Sequence, residues 1–125
     1  MKPGTPSIDE LGRSTALERP VLTPDDFIDR VLMTLEVTRE EVAGGTKRRD
    51  LVRAREMLFS LGVERYGLKV TEMARALRVN YDSASLWGRR GTQRRADDAD
   101  FALRADELDA AVASAPGSKV EYTNV

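Results

Sequence analysis

Apolar residues recur at helical spacing in several stretches of the chain. In the first stretch five of them form one stripe along a helix: Phe27, Ile28, Val31, Leu32 and Leu35. Thr23 precedes this stripe as a good N-cap residue, and Pro24 suits the first helical position. The pattern predicts a core-facing helix that begins after Thr23.

Two further helices are predicted before residue 70. Thr38 and Glu41 have the spacing of a capping box, and Gly44 and Gly45 follow as stop signals, which predicts a short helix. A longer helix follows the basic residues at 47–49, and Gly62 is its expected end. Its apolar residues are Leu51, Ala54, Leu58 and Leu61 on one face, with Val52 and Phe59 beside them.

Residues 70–89, VTEMARALRVNYDSASLWGR, predict two helices that cross over a short turn. The first is expected from about Thr71 to Leu77 and the second from about Tyr81 to Arg90, with Gly91 closing it. A helix-turn-helix needs small or apolar residues where its two helices meet. The residues that meet this requirement are Met73, Ala74, Leu77, Val79, Ala84 and Trp87.

The predicted turn contains one favourable and one unusual residue. Asn80 is placed to cap the second helix. Arg78 occupies a position that is often Gly, which implies either a positive φ or a slightly different turn.

A last amphipathic helix is predicted ahead of a Pro/Gly tail, with Phe101, Ala105, Leu108 and Val112 on its apolar stripe. Together the patterns predict an all-α fold, a compact bundle of about five to six helices that contains a helix-turn-helix. The expected organisation is a flexible segment at 1–22, a helix-turn-helix domain at 23–95, an acidic amphipathic helix at 96–114 and a tail at 115–125.

The composition removes many kinds of functional site. The 125 residues include no cysteine and no histidine, which excludes disulfides, thiolate metal sites, histidine ligands and histidine bases. No apolar run reaches the roughly 18 residues needed to span a bilayer. We therefore expect a soluble cytoplasmic protein that is not an enzyme and has no cofactor, metal site, membrane partner or small-molecule substrate.

Charge is sorted along the chain, although the formal net charge is only −1. Residues 1–43 hold five basic and nine acidic residues, residues 44–95 hold thirteen and five, and residues 96–125 hold two and seven, giving −4, +8 and −5. Nearby cations attract phosphate whatever the charge of the whole chain. The central block predicts duplex DNA as the partner and association with the nucleoid, against the alternative of an ordinary solvated helix surface.

The predicted helix pair divides the DNA contacts into two sets. The outward residues of the second helix would read base edges in the major groove, and they are Asn80, Tyr81, Asp82, Ser85, Leu86 and Arg89. Surrounding cations would contact the DNA backbone, namely Lys47, Arg48, Arg49, Arg53, Arg75, Arg90, Arg94 and Arg95, with Arg55 close by. Tyr81 suits a phosphate contact or a solvated position equally, whereas the spacing of Trp87 from Ala84 assigns its ring to the core.

Other interpretations stay open at this point. One is a protein-interaction domain in which the helix-turn-helix is structural and the acidic C-terminal helix docks a partner or covers the basic face. An enzymatic alternative would need a Mg²⁺ site at Asp97, Asp98 and Asp100, but aspartates at a helix start are usually caps or solvated charges. A homodimer is a further possible partner, and no heptad pattern or isologous face in the sequence identifies its interface.

Residues 38–91 resemble the C-terminal DNA-binding domain of the bacterial replication initiator DnaA, and more closely the DnaA-like domain of REP-associated and IS200-type tyrosine transposases. The resemblance is carried by the basic loop and "AR" helix of KRRDLVRAREMLF, followed by Glu72, Met73, Ala74, Arg75, Leu77, Val79, Ala84, Ser85, Arg90 and Gly91. It implies a fold similar to DnaA domain IV and to the Trp repressor. It also implies a recognition helix in the major groove, with Lys47, Arg48 and Arg49 at the backbone or the adjacent minor groove.

Three departures limit what the resemblance implies. Tyr81, Asp82 and Ser83 stand where the initiator has Asp-His-Thr, so its origin specificity does not carry over. The transposase nuclease needs a pair of histidines, which this chain lacks. The sequence GGTKRR is not a phosphate-binding loop of the initiator type. We therefore expect the binding domain alone, as a stand-alone regulator or a piece of a transposase.

Overall fold

The computed structural model describes residues 18–44 and 46–114, and within them it contains six α-helices and no strand. In chain order these are α1 (Pro24–Leu35), α2 (Arg39–Ala43), α3 (Arg49–Tyr66), α4 (Val70–Leu77), α5 (Tyr81–Asp97) and α6 (Ala99–Ser114). The predicted all-α bundle is confirmed. None of these helices combines the length and the apolar character that crossing a bilayer requires.

Local sequence fixes the starts of the first two helices. The Thr23 hydroxyl accepts a hydrogen bond from the Asp26 backbone N–H at 3.1 Å, and Pro24 takes the first helical position. The Thr38 hydroxyl accepts from the Glu41 N–H at 3.0 Å, while the Glu41 carboxylate accepts from the Thr38 N–H at 2.9 Å. Both predicted caps, including the reciprocal capping box, are therefore confirmed.

Gly62 does not end α3, so that prediction is wrong. The helix continues to Tyr66, and Gly67 forms its left-handed cap with a φ of 66°. Gly62 is buried against α4, where a Cβ would lie 2.6 Å from the Met73 sulfur. Its lack of a side chain serves helix packing rather than helix termination.

The predicted end of α5 at Gly91 is also wrong, because the helix runs on to Asp97. Gly91 lies where α5 crosses α3. A Cβ there would overlap the Glu56 carbonyl oxygen and lie 2.6 Å from the Ser60 hydroxyl oxygen. The glycine allows the two helix backbones to approach closely.

One buried cluster joins the helices. Its largest fully buried side chains are Phe27 of α1, Phe59 of α3 and Phe101 of α6. The predicted stripes of α1 and α6 are both part of it, so α6 belongs to the same core as the helices before it. From α4 and α5 the cluster takes Met73, Ala74, Leu77 and Ala84, and the partly buried Val79 and Trp87 pack against it.

The ends of the chain are described only in part. Residues 18–22 fall within the segment predicted to be flexible, and here Leu22 packs on the core while Arg19 bonds to the buried Asp109 at 2.7 Å. The rest of that segment, residues 1–17, and the predicted tail, residues 115–125, lie outside the described residues.

Candidate nucleic-acid interface

The connection between α4 and α5 consists of Arg78, Val79 and Asn80. Arg78 adopts a φ of 61° as the left-handed cap of α4, and its backbone N–H donates to the Arg75 carbonyl at 3.2 Å. The Val79 N–H donates to the Ala74 carbonyl at 3.0 Å. The sequence left two possibilities open for this turn, and the structure shows the positive φ. The two backbone hydrogen bonds to Arg75 and Ala74 close the last turn of α4.

Asn80 caps α5, as predicted. Its side-chain oxygen accepts hydrogen bonds from the Asp82 N–H at 2.7 Å and from the Ser83 N–H at 3.3 Å. The side-chain nitrogen has no partner among the described residues, and the residue is exposed. Asn80 can therefore offer its amide hydrogens to a ligand, while its oxygen stays with the helix.

The residues predicted to read bases lie at the start and on the outer face of α5. Tyr81, Asp82 and Arg89 are exposed, whereas Ser85 and Leu86 are partly buried. Positions 82, 85, 86 and 89 are neighbours on one helical face. The Arg89 guanidinium donates to the Ser85 hydroxyl at 2.9 Å, so these two side chains already meet there.

Trp87 points the other way, as its spacing from Ala84 predicted. The centre of its ring is 5.6 Å from that of Phe59, and the Arg55 guanidinium lies 5.3 Å from it. Arg55 is only 3% exposed, and burial lowers its pKa. Arg55 is therefore not one of the cations available to DNA, because its guanidinium donates to backbone carbonyls and does not face solvent.

Three other predicted backbone-contact residues are engaged inside the protein. Arg94 bonds to the buried Glu56 at 2.7 Å, and this hydrogen bond raises the pKa of Arg94. Arg53 lies 3.9 Å from the same carboxylate. Arg95 pairs with Glu64 at 2.6 Å. All three arginines are partly buried and hold α5 or α6 against α3, a role that the sequence pattern did not indicate.

Arg48 is exposed but also paired. Its guanidinium contacts Asp50 at 2.8 Å and Glu41 at 3.8 Å, and the hydrogen bond from Arg48 lowers the pKa of Asp50. Ion pairs between such exposed groups contribute little free energy. Arg48 can therefore exchange these partners for a phosphate at low cost.

Arg65 is partly buried and pairs with Asp106 and Asp109 of α6. The other basic residues of the central block are exposed and have no ion pair among the described residues. Lys47, Arg49, Arg75 and Arg90 were predicted, and Lys69, Arg78 and Arg89 complete the set. They come from residues 46–49, which comprise the loop before α3 and its first residue and which we call the basic loop, from both ends of α4 and from the outer face of α5. Lys69 and Arg78 were not among the cations singled out from the sequence, although both flank the helix pair.

No cluster of metal-ligating side chains accompanies these cations in residues 18–44 and 46–114. No group of three or more carboxylates there is placed to hold a metal ion. Asp98 accepts from the N–H groups of Asp100 and Phe101 at 3.0 and 3.1 Å, which makes it the cap of α6. Asp100 pairs with Arg104 at 2.9 Å.

Comparisons with protein-family models, with curated proteins and with solved structures find no match to this chain. The resemblance to the DnaA-type domain therefore rests on the residues quoted from the sequence. The function has to be argued from the charge and geometry of the α4–α5 pair and the basic loop.

Proposed function

We propose that this chain binds duplex DNA through α4, the Arg78–Asn80 turn and α5, with the basic loop as a second contact. The observation that carries the proposal is the distribution of exposed cations that have no ion-pair partner. They are concentrated on the basic loop, the ends of α4 and the outer face of α5. Cations placed in this way attract phosphate and release counterions when DNA binds.

The acidic residues of α3 do not cancel this charge. Asp50, Glu56 and Glu64 each pair with an arginine, and Glu56 is fully buried. Residues 69–90 carry five basic and two acidic residues, and the two acids are Glu72 and Asp82. The exposed surface of the α4–α5 pair is therefore cationic.

In the proposed complex α5 would enter the major groove as the recognition helix of a helix-turn-helix. Asn80 would donate to an acceptor on a base edge or a phosphate, because its oxygen is held by the cap. Arg89 would reach guanine or the DNA backbone, with Ser85 orienting its guanidinium. The basic loop would contact the backbone without reading sequence.

The protein-interaction alternative depends on acidic residues of α6 that are free to dock. Asp100 pairs with Arg104, Asp106 with Arg65 at 3.0 Å, and the buried Asp109 with Arg65 at 2.8 Å. The apolar face of α6 is buried in the core. Glu107 is the acidic residue of α6 that is exposed without an ion pair among the described residues. One unpaired carboxylate supports a docking helix less than the set of unpaired cations supports DNA binding.

The proposal is tested by fluorescence anisotropy with a random-sequence duplex over a series of salt concentrations. We expect the logarithm of the binding constant to fall linearly with the logarithm of salt. Arg49→Ala should weaken binding to all duplexes alike and reduce that slope by about 1. Arg104→Ala is the matched control, because it removes an exposed charge from α6 and should leave the slope unchanged.

Sequence reading is tested separately by selection from randomised duplexes. Asn80→Ala should change the selected sequence, whereas Arg49→Ala should not. Absence of salt-dependent binding at low ionic strength would overturn the proposal, and so would equal losses for Arg49→Ala and Arg104→Ala. Because α6 is part of the core, its charge should be altered by Glu107→Gln rather than by deletion of the helix.

A further inference from the structure

A cavity of about 550 Å³ lies away from the α4–α5 pair, where the first half of α3 meets the end of α1 and the start of α6. Its size is within the usual range of sites for small organic ligands. Part of its wall is apolar and consists of Leu35, Val37, Met57 and Phe101. Two arginines of α3, Arg49 and Arg53, also line it.

Neither arginine has its hydrogen-bonding capacity met. Arg49 is exposed and has no ion pair or hydrogen bond among the described residues. Arg53 makes no hydrogen bond there either, and its Nη1 is buried without an acceptor. Glu56, which lies 3.9 Å from that nitrogen, already accepts from Arg94 at 2.7 and 3.2 Å. Buried donors without an acceptor are rare in proteins. Among the described residues, the side-chain atoms in this state are Nη1 of Arg53 and Nη1 of Arg95, and of these two arginines Arg53 lines the cavity.

The acidic residues around the cavity do not supply an acceptor for Arg53. Asp50 is bonded to Arg48 at 2.8 and 3.1 Å. Asp98 caps α6, and Asp100 is bonded to Arg104 at 2.9 Å. The carboxylates in the wall therefore have close partners, whereas Arg49 has none among the described residues and Arg53 has only the carboxylate oxygen of Glu56 at 3.9 Å.

The guanidinium of Arg53 is placed to hold an anion. It lies over the Phe101 ring, 5.9 Å from its centre, which is within the range of a cation–π contact. Since it makes no hydrogen bond, it can turn toward the cavity without breaking one. Guanidinium groups bind carboxylates through two parallel hydrogen bonds.

We propose that this cavity binds a small monocarboxylate with an apolar body. The carboxylate would lie between Arg49 and Arg53, and the body would pack on the apolar wall. A single negative charge suits the site better than a dianion such as a phosphate ester, because three aspartates also line the cavity and would repel further charge. This inference does not rest on DNA binding, but the two proposals share Arg49, which lines the cavity and belongs to the basic loop.

Octanoate is a suitable probe, titrated at neutral pH into the isotope-labelled full-length chain and followed by nuclear magnetic resonance. We expect saturable shifts of amides around the cavity, centred on Arg49, Arg53 and Phe101. Octanol has a similar apolar body without the charge, and acetate has the charge without the body. Octanol should bind at least about tenfold more weakly than octanoate, since a hydrogen bond to a charged group contributes about one power of ten or more. Acetate should bind at least about tenfold more weakly as well, since each buried CH₂ group contributes about 0.8 kcal/mol.

Two variants and a matched control complete the test. Arg53→Met and Arg49→Met should each weaken octanoate binding about tenfold, whereas Arg75→Met removes a charge outside the cavity and should leave it unchanged. If Arg53→Met does not fold, octanoate binding by Arg49→Met decides the result, because Arg49 is exposed and unpaired. Shifts that do not saturate, octanol binding as tight as octanoate binding, or wild-type affinity in Arg49→Met would overturn the proposal. A failure of DNA binding would leave these outcomes unaffected.

Discussion

The guanidinium of Arg55 lies 5.3 Å from the centre of the Trp87 ring, beneath the surface of the protein. It also donates to the Val42 carbonyl at 2.6 Å and to the Thr46 carbonyl at 2.7 Å. A single buried cation thus joins the end of α2 and the basic loop to α5. The relative position of the two proposed DNA contacts depends on it.

Replacing Arg55 should therefore destabilise the fold. Arg55→Met keeps most of the aliphatic stem but leaves the bonded carbonyls without a donor, at a cost of about 1 to 3 kcal/mol for each buried unsatisfied group. We expect a loss of about 3 kcal/mol in the free energy of unfolding, measured by urea denaturation. Arg49→Met, on the same helix but exposed, should change it by no more than about 0.5 kcal/mol. Equal stability of the two variants would contradict the role given to Arg55.

Two glycines of α5 should respond in opposite directions to substitution by alanine. At Gly91 a Cβ would collide with the Glu56 carbonyl and with Ser60, so α5 and α3 would have to move apart. We expect Gly91→Ala to destabilise the protein by about 3 kcal/mol or more, at the upper end of overpacking effects. The change is measured as a shift in the urea midpoint.

Gly88→Ala is the control on the same helix. The nearest atom to a Cβ at this position is the Phe59 Cβ at 3.7 Å, an ordinary contact distance. Because alanine favours the helix over glycine, this variant should stabilise the protein by about 0.5 to 1 kcal/mol. Destabilisation of similar size at both positions would mean that α5 does not cross α3 at Gly91.

These examples separate what the sequence could predict from what it could not. Thr23, Thr38 and Asn80 form caps with residues two or three positions along the chain, so local spacing was sufficient to predict them. Gly91 and Arg55 depend on groups that lie far away in sequence and close in space. A glycine after an apolar stripe and an arginine in a basic segment look alike whether they are exposed or buried. For the same reason the sequence could not separate the paired arginines of α5 from the unpaired ones.

A second buried charge, Asp109, should make stability depend on pH. Asp109 is 1% exposed and accepts hydrogen bonds from Arg19 at 2.7 Å, Arg65 at 2.8 Å and Tyr66 at 2.9 Å. Burial by itself raises the pKa of Asp109, but these three donors outweigh it and hold the pKa below its ordinary value. Burial and the bond to Asp109 in turn raise the pKa of Tyr66.

A depressed pKa in the folded state sets the sign of the pH effect. The contribution of Asp109 is complete above its unfolded pKa of about 3.9 and is lost as pH falls through its lower folded value. We therefore expect the free energy of unfolding to decrease as pH is lowered below about 4, measured by urea denaturation at several pH values.

The variant Asp109→Asn tests whether Asp109 causes this loss of stability at low pH. Breaking a buried ion cluster costs about 3 to 5 kcal/mol, so the variant should be less stable at neutral pH and lose less on acidification. Asp106→Asn is the matched control, because Asp106 is an exposed partner of Arg65 and should contribute no more than about 1 kcal/mol. If the free energy of unfolding of Asp109→Asn decreases at low pH as much as that of the wild type, other carboxylates cause the pH dependence.

Because Arg78 has a positive φ, its replacement by glycine should change the stability of the fold and DNA binding in opposite directions. Arginine in the left-handed region is strained relative to glycine, and Arg78 has no ion pair among the described residues to offset this. Arg78→Gly should therefore stabilise the protein by about 1 kcal/mol while weakening its binding to duplex DNA and lowering the salt slope by about 1. The exposed Glu36 has a φ of 60° at the end of α1 and provides the control. Glu36→Gly should stabilise the fold in the same way without weakening DNA binding. Loss of DNA affinity in both variants, or in neither variant, would contradict a role for the Arg78 charge in binding.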